Sequence, residues 1–176
     1  MNILFFSDIH GISDNLDIID SKIKEHNINK LICLGDLYYN YSYSHESNPE
    51  EVEEFLNKYN SILTCMKGNC DNYIDISNSK FSIIDDYLKF SVDDIDIYIT
   101  HGNKYNMSNS SFMDKGVLIY GHEHIPYIER GNNKIFINTG SISLPKGGSN
   151  PSYVIYSNRE FIIYDIYDNV IDKIML

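Results

Sequence analysis

Five apolar runs in this sequence each lead into a glycine set beside aspartate, histidine or asparagine, and that pattern constrains the chain more than its composition does. The blocks are Asp8-Ile9-His10-Gly11, Gly35-Asp36, Gly68-Asn69-Cys70-Asp71, His101-Gly102 and Gly121-His122-Glu123-His124. Glycine lets a backbone turn sharply and come close to an ion or a phosphate. Ligand residues at the C-terminal ends of strands converge on one edge of a sheet, where open α/β sheets bind their ligands. Taken singly, Asp8 and Asp36 read as turn or helix-capping residues and His101 as a buried imidazole. Their recurrence in one grammar points to a site.

The segments between the blocks give the fold class. Asn2 to Phe6, Leu31 to Leu34 and Ser61 to Cys65 read as buried strands. Ser13 or Asp14 is placed to cap a helix that carries Leu16, Ile19 and Ile23 at helical spacing. Pro49 opens a second helix, with Glu50, Glu51, Glu53 and Glu54 near its positive end and Val52, Phe55 and Leu56 on its buried face. The stretch Tyr38 to Asn48 has no period and reads as a loop. This alternation predicts a parallel βαβ core. Beyond residue 80, segments 81–84, 87–92, 95–99, 117–120, 126–130, 134–138, 152–156, 160–166 and 169–174 read as strands, with one helix expected near Met107 to Met113. The expectation is a single α/β domain over 1–176 with a second, largely antiparallel sheet.

Charge narrows the partners. Fourteen Lys and Arg stand against 25 Asp and Glu, a net −11, which argues against long nucleic acids and anionic membrane surfaces. The only arginines are Arg130 and Arg159, so an anionic substrate needs another source of positive charge. Apolar runs such as Ile3 to Phe6 are too short to span a membrane, and no basic stretch follows Met1, which makes the cytoplasm the expected location. Cys33, Cys65 and Cys70 form an odd set that suits neither a disulfide framework nor a zinc ribbon. His26 and His45 read as surface residues.

Asp8, His10, Asp36, Asn69, His101, His122 and His124 mix imidazole, carboxylate and amide oxygen. That mixture suits Mn, Fe, Zn, Co or Ni. Seven ligands are too many for one ion and enough for two that share a bridging carboxylate.

The order D-x-H, GD, GNxD, HG, GHxH resembles the calcineurin-like metallophosphoesterase superfamily, and in particular its YfcE-like small phosphodiesterases, relatives of the retromer 29-kDa subunit. The resemblance covers nearly the whole chain, including the stretch Asn138-Thr-Gly-Ser-Ile-Ser-Leu-Pro-Lys-Gly-Gly148. It implies a four-layer α-β-β-α sandwich of two mixed sheets, with the metal site in loops at the strand C-termini. It implies one divalent ion on Asp8, His10, Asp36 and His124, and a second on Asp36, Asn69, His101 and His122. Such a pair, roughly 3.5–4 Å apart, activates a bridging water for in-line attack on a phosphodiester. Manganese leads among the candidate metals.

Asp71, Asn69 and Cys70 are the remaining catalytic candidates: Asp71 to orient a ligand or the leaving group, Cys70 where many relatives carry a proton-donating histidine. Asn103 and Glu123 also depart from the wider superfamily. Tyr38, Tyr39, Tyr41 and Tyr43 are candidates for a stacking wall, and Lys146 for a phosphate contact. A small or nucleotide-like phosphodiester is the expected substrate. A phosphomonoesterase (nucleotide phosphatase) and an interaction scaffold with weak turnover stand as alternatives, and a homo-oligomer is left open.

Overall fold

The computed structural model describes residues 1–39, 46–72 and 79–176. Four parallel strands, β1 (Ile3–Phe6), β2 (Lys30–Cys33), β3 (Leu63–Met66) and β4 (Ile83–Ile84), form one half of a seven-stranded sheet. Helices α1 (Leu16–Glu25) and α2 (Pro49–Lys58) are the first two crossovers. The other half is the antiparallel meander β10 (Ser152–Ser157), β11 (Glu160–Asp165) and β12 (Val170–Met175), joined to β1 through β10. A five-stranded sheet holds β5 (Tyr87–Val92), β6 (Ile95–Thr100), β7 (Gly116–Tyr120), β9 (Lys134–Thr139) and β8 (Pro126–Arg130), in that order.

The period-2 geometry of strands explains the continuous apolar runs. Leu4, Phe6, Leu31 and Cys33 face α1 and α2, while Ile3, Phe5, Ile32 and Leu34 face the second sheet. A strand buried on both faces must be apolar at every position. The inter-sheet layer is completed by Ile97, Ile99, Val117, Ile119 and Ile137 from the five-stranded sheet.

Three expectations are corrected. The second sheet is mixed, because β6, β7 and β9 run parallel, and the antiparallel hairpins β10 to β12 extend the first sheet instead. No helix forms at Met107 to Met113; the segment is turns with an Asn106–Asn109 bridge. The Asn106 carboxamide accepts the N–H groups of Ser108 and Asn109, an alternative to helical bonding that Asn and Ser favour. The fourth layer, over Tyr98, Leu118, Tyr120 and Phe136, is therefore this turn segment, with Phe112 and Met113 packed inward. Finally, α1 starts after Asn15 rather than after Ser13 or Asp14, and Asn15 makes no capping bond. Its amide donates to Ile142 O at 2.7 Å, and Ser13 Oγ donates to Glu51.

Among the described residues no helix is long and apolar enough to cross a membrane. Asp20 ties the two helices together, accepting from Lys24, Lys58 and Tyr59, and these contacts hold its carboxyl well below the ordinary value of 3.8.

Two stability predictions follow from this packing. Ile119→Ala, in the inter-sheet layer, should lower unfolding free energy by about 2–5 kcal/mol in urea titrations, whereas Ile171→Ala on exposed β12 should change it by less than about 0.5 kcal/mol. Because the Asp20 pKa is depressed on folding, its stabilisation is present above about pH 4 and lost as pH falls. Asp20→Asn should therefore cost about 0.5–1 kcal/mol at pH 7, and the gap to wild type should narrow below pH 4.

Candidate metal centre

The candidate ligand residues sit where strands end. Asp8 and His10 follow β1, Asp36 follows β2, Gly68 to Asp71 follow β3, His101 follows β6, and His122 and His124 follow β7. The loops after β1 and β2 are zipped together by Asp8 N–H to Gly35 O (3.0 Å), His10 N–H to Asp36 O (2.9 Å) and Gly11 N–H to Leu37 O (2.8 Å). Asp8, His10, Asp36, His122 and His124 all adopt left-handed backbone, with φ between 53° and 66°. That conformation is uncommon for non-glycine residues and costs on the order of 1 kcal/mol or more each. Gly121 and Gly68 make the close approach feasible: a Cβ on Gly121 would strike Ser7 and Asp8, and one on Gly68 would strike Asp36.

Each carboxylate has its polar atoms engaged except one. Asp8 donates its N–H to Gly35 O, its carbonyl accepts from Ser141 Oγ (2.7 Å), and its Oδ2 accepts from His122 N–H (2.9 Å). Its Oδ1 is buried with no hydrogen-bond partner and faces His124 Nε2 at 3.3 Å and His10 Nε2 at 3.9 Å. Asp36 donates its N–H to Asp71, accepts His10 N–H on its carbonyl, and accepts Cys70 N–H on Oδ1 at 2.8 Å. Its Oδ2 faces His10 Nε2 at 3.6 Å and His101 Nε2 at 3.5 Å.

The imidazoles are aimed the same way. Nδ1 of His10, His101 and His124 lies 2.8, 2.8 and 2.5 Å from the carbonyls of Tyr39, Leu34 and Leu144. A carbonyl only accepts, so Nδ1 carries the proton and Nε2 points inward, the arrangement that ligating histidines use. His10 Nε2 and His124 Nε2 then face each other at 3.3 Å. That approach is favourable with a cation between the two nitrogens, a shared proton or a metal ion.

Burial pushes the His10 imidazole toward its neutral form, and burial with the neighbouring His101 charge does the same for His122. Burial also disfavours a charge on His101, but Asp36 in contact and the Asp8 charge override it and push its pKa up to about 9. Without a cation, His101 therefore holds the proton that a divalent ion would displace. An orphaned buried carboxylate oxygen and three inward Nε2 atoms fit divalent metal. Asp8, His10 and His124 form one group with ligand reach, and Asp8, Asp36 and His101 another.

The other expected residues divide. Asn69 Oδ1 lies 3.0 Å from His101 Nε2, and the His122 ring packs edge-on against His101 at 5.1 Å. Cys70 forms a third group with His10 and Asp36, a ligand position that sequence reasoning did not assign. Burial and the Asp36 charge push its thiol up to about 12. Asp71 lies behind the site, accepting the backbone N–H groups of Asp36 (2.9 Å), Leu37 (2.7 Å) and Gly68 (2.8 Å). Glu123 turns toward Asn138 Nδ2 at 3.4 Å. Asn103 is exposed, and Lys146 enters through its backbone N–H on His124 O at 2.9 Å.

Tyr38 is no stacking wall, because it is buried in the helix-side core; Tyr39 is 58% exposed and holds His10 through its carbonyl. Tyr41, Tyr43 and His45 lie outside the described residues. The carbonyls of Leu34, Tyr39 and Leu144 carried no signal in the sequence, since any residue supplies one.

The model of the calcineurin-like phosphoesterase superfamily domain matches residues 1–160. The chain belongs to that superfamily. Such proteins are metal-dependent phosphoester hydrolases, and this chain is one by descent, with divalent ions implied. Phosphodiesterase YfcE of Escherichia coli K12 is 27% identical over 175 residues, covering 97% of this chain and 95% of that one. Probable metallophosphoesterase YsnB of Bacillus subtilis is 29% identical over 163 residues, covering 88% and 83%. The solved structure of E. coli YfcE superposes with a TM-score of 0.92 over 99% of this chain and 98% of that one, at 27% identity. Vacuolar protein sorting 29 from Cryptosporidium parvum shares the fold, with a TM-score of 0.72 at 17% identity over 99% and 98% of the two chains.

Asp71→Asn should place an amide donor against backbone N–H groups, lowering stability by about 1–3 kcal/mol in chemical unfolding and weakening metal binding through the loosened Asp36 turn.

Proposed function

We propose that this chain hydrolyses a small or nucleotide-like phosphodiester at two divalent ions, with manganese as the favoured metal. The reading rests chiefly on Asp36, whose single inward oxygen faces His10 on one side and His101 on the other. In this scheme Asp8, His10, Asp36 and His124 hold one ion, and Asp36, Asn69, His101 and His122 hold the other. When bound, the ions supply Lewis-acid polarisation of phosphoryl oxygens and a water of lowered pKa.

The protein's own part is positioning. The carbonyls of Leu34, Tyr39 and Leu144 fix the imidazole tautomers, and Asp71 fixes the turn that carries Asp36. With no metal bound, burial and the Asp36 charge push the Cys70 thiol up to about 12, and a thiol is a poorer proton donor than the histidine many relatives carry at this point. Leaving groups that depart as stable anions are therefore favoured. A phosphodiester, with one negative charge rather than two, also suits the acidic chain better.

The test compares bis(p-nitrophenyl) phosphate with p-nitrophenyl phosphate under matched Mn²⁺. The diester should be the faster substrate, and Asp36→Asn should reduce its turnover by at least about 100-fold. A monoester preference would favour a phosphatase, and background rates with Mn²⁺, Fe²⁺, Co²⁺, Ni²⁺ and Zn²⁺ alike would overturn the reading.

A further inference from the structure

The segment Asn138 to Leu144 covers the end of β9 in the five-stranded sheet and the first residues of its connection to β10 in the seven-stranded sheet, and it bonds to the residues that carry the candidate ligands Asp8 and His124. Its side chains do little toward solvent: Asn138 and Ser141 are fully buried. Ser141 Oγ donates to Asp8 O at 2.7 Å and accepts the N–H groups of Ser143 (3.1 Å) and Leu144 (2.8 Å). Leu144 in turn offers the carbonyl that receives His124 Nδ1. One hydroxyl thus joins the backbone of one ligand residue to the carbonyl that orients another, 116 residues apart along the chain (124 − 8 = 116).

The neighbouring contacts reinforce the same pairing. Asn138 Nδ2 donates to Gly121 O at 2.7 Å, fixing the start of the turn that carries His122 and His124, while Asn138 Oδ1 accepts Gly140 N–H at 2.9 Å. Ile142 N–H donates to Ser7 O at 3.1 Å, beside Asp8. Asp8 and His124 both hold left-handed backbone, which persists only where surrounding bonds over-determine it. A hydrophobic residue of similar size would fill the space at 141 and leave Asp8 O and two amide N–H groups unpaired. Packing alone therefore does not explain a serine at this point.

We propose that Ser141 is a positioning residue for one of the two ions, acting through Asp8 and, by way of the Leu144 carbonyl, through His124, so that the ion on His124 is weakened more than the ion on Asn69, His101 and His122. This rests on the two-ion assignment made under the proposed function. Groups that orient ligands change metal affinity by about 10–100-fold when removed.

The test is Mn²⁺ titration calorimetry on the full chain. Wild type should bind two ions. Ser141→Ala should bind one of them about 10–100-fold more weakly and the other within about threefold. His124→Ala should lose one ion and keep the other, which identifies the ion that Ser141→Ala weakens. Ile163→Val, in the core and away from the site, supplies a destabilised control that should keep both ions. If Ser141→Ala fails to fold, Ser141→Cys keeps the volume with a weaker donor and should show the same one-sided loss.

Equal weakening of both ions, unchanged binding by the variant, or the same loss in Ile163→Val would overturn the role of Ser141. A wild-type chain that binds no divalent metal would overturn the two-ion assignment itself, and this role with it.

Discussion

Two buried carboxylates, Asp8 and Asp36, are the constraint around which this end of the molecule is built. Burial alone would push both toward protonation. The contact of Asp8 with His124, and of Asp36 with His101, together with the charges on nearby imidazoles, holds both carboxyls below their ordinary range instead. An ionised carboxylate removed from water needs several partners, since the penalty for leaving it bare is several kcal/mol. Main-chain N–H groups satisfy one oxygen of each, and the second oxygen of each is left pointing at histidine nitrogens. The arrangement is electrostatically incomplete without positive charge at its centre, and His101 partly supplies it by retaining a proton.

That incompleteness is tolerated because the platform beneath it is rigid. The apolar layer between the sheets fixes where β1, β2, β6 and β7 end, and α1 and α2 seal the opposite face of the larger sheet. Close packing transmits the strand positions to the loops with little slack. The strained left-handed residues are then held by bonds running between loops: β1 loop to β2 loop, β7 loop to the Asn138–Leu144 segment, and Asp71 across both the Asp36 and Gly68 turns. Candidate ligands drawn from both sheets meet at one point, so the site also records how the two sheets sit against each other.

The net charge of −11 gains a different meaning at this point. With only two arginines the chain has little guanidinium to receive a phosphate, and among the described residues at the site His101 is the side chain whose positive charge is favoured. Divalent cations concentrate positive charge at one place and leave the rest of the surface acidic.

The seven ligand candidates were legible in the sequence because their chemistry is carried by side-chain type and by strand-then-glycine spacing. The βαβ core was legible for the same reason: Leu4, Phe6, Leu31 and Cys33 alternate with Ile3, Phe5, Ile32 and Leu34, and no other pattern buries both faces of a strand. What the sequence could not assign was partnership. The meander β10 to β12 reads the same whether it extends the first sheet or the second, since the alternation names a buried face and not its neighbour. The turn at Met107 to Met113 was decided by local bonds to the Asn106 side chain, and the diversion of Asn15 away from its helix by a bond to the distant Ile142 carbonyl. Asp71, read as orienting a ligand or the leaving group, accepts main-chain N–H groups of Asp36, Leu37 and Gly68, and Ser141 was visible only as part of a resemblance. Residue type determined which atoms can bind metal; only the tertiary structure decided which of those atoms remain free to do so, because hydrogen bonding to distant main chain consumes the others.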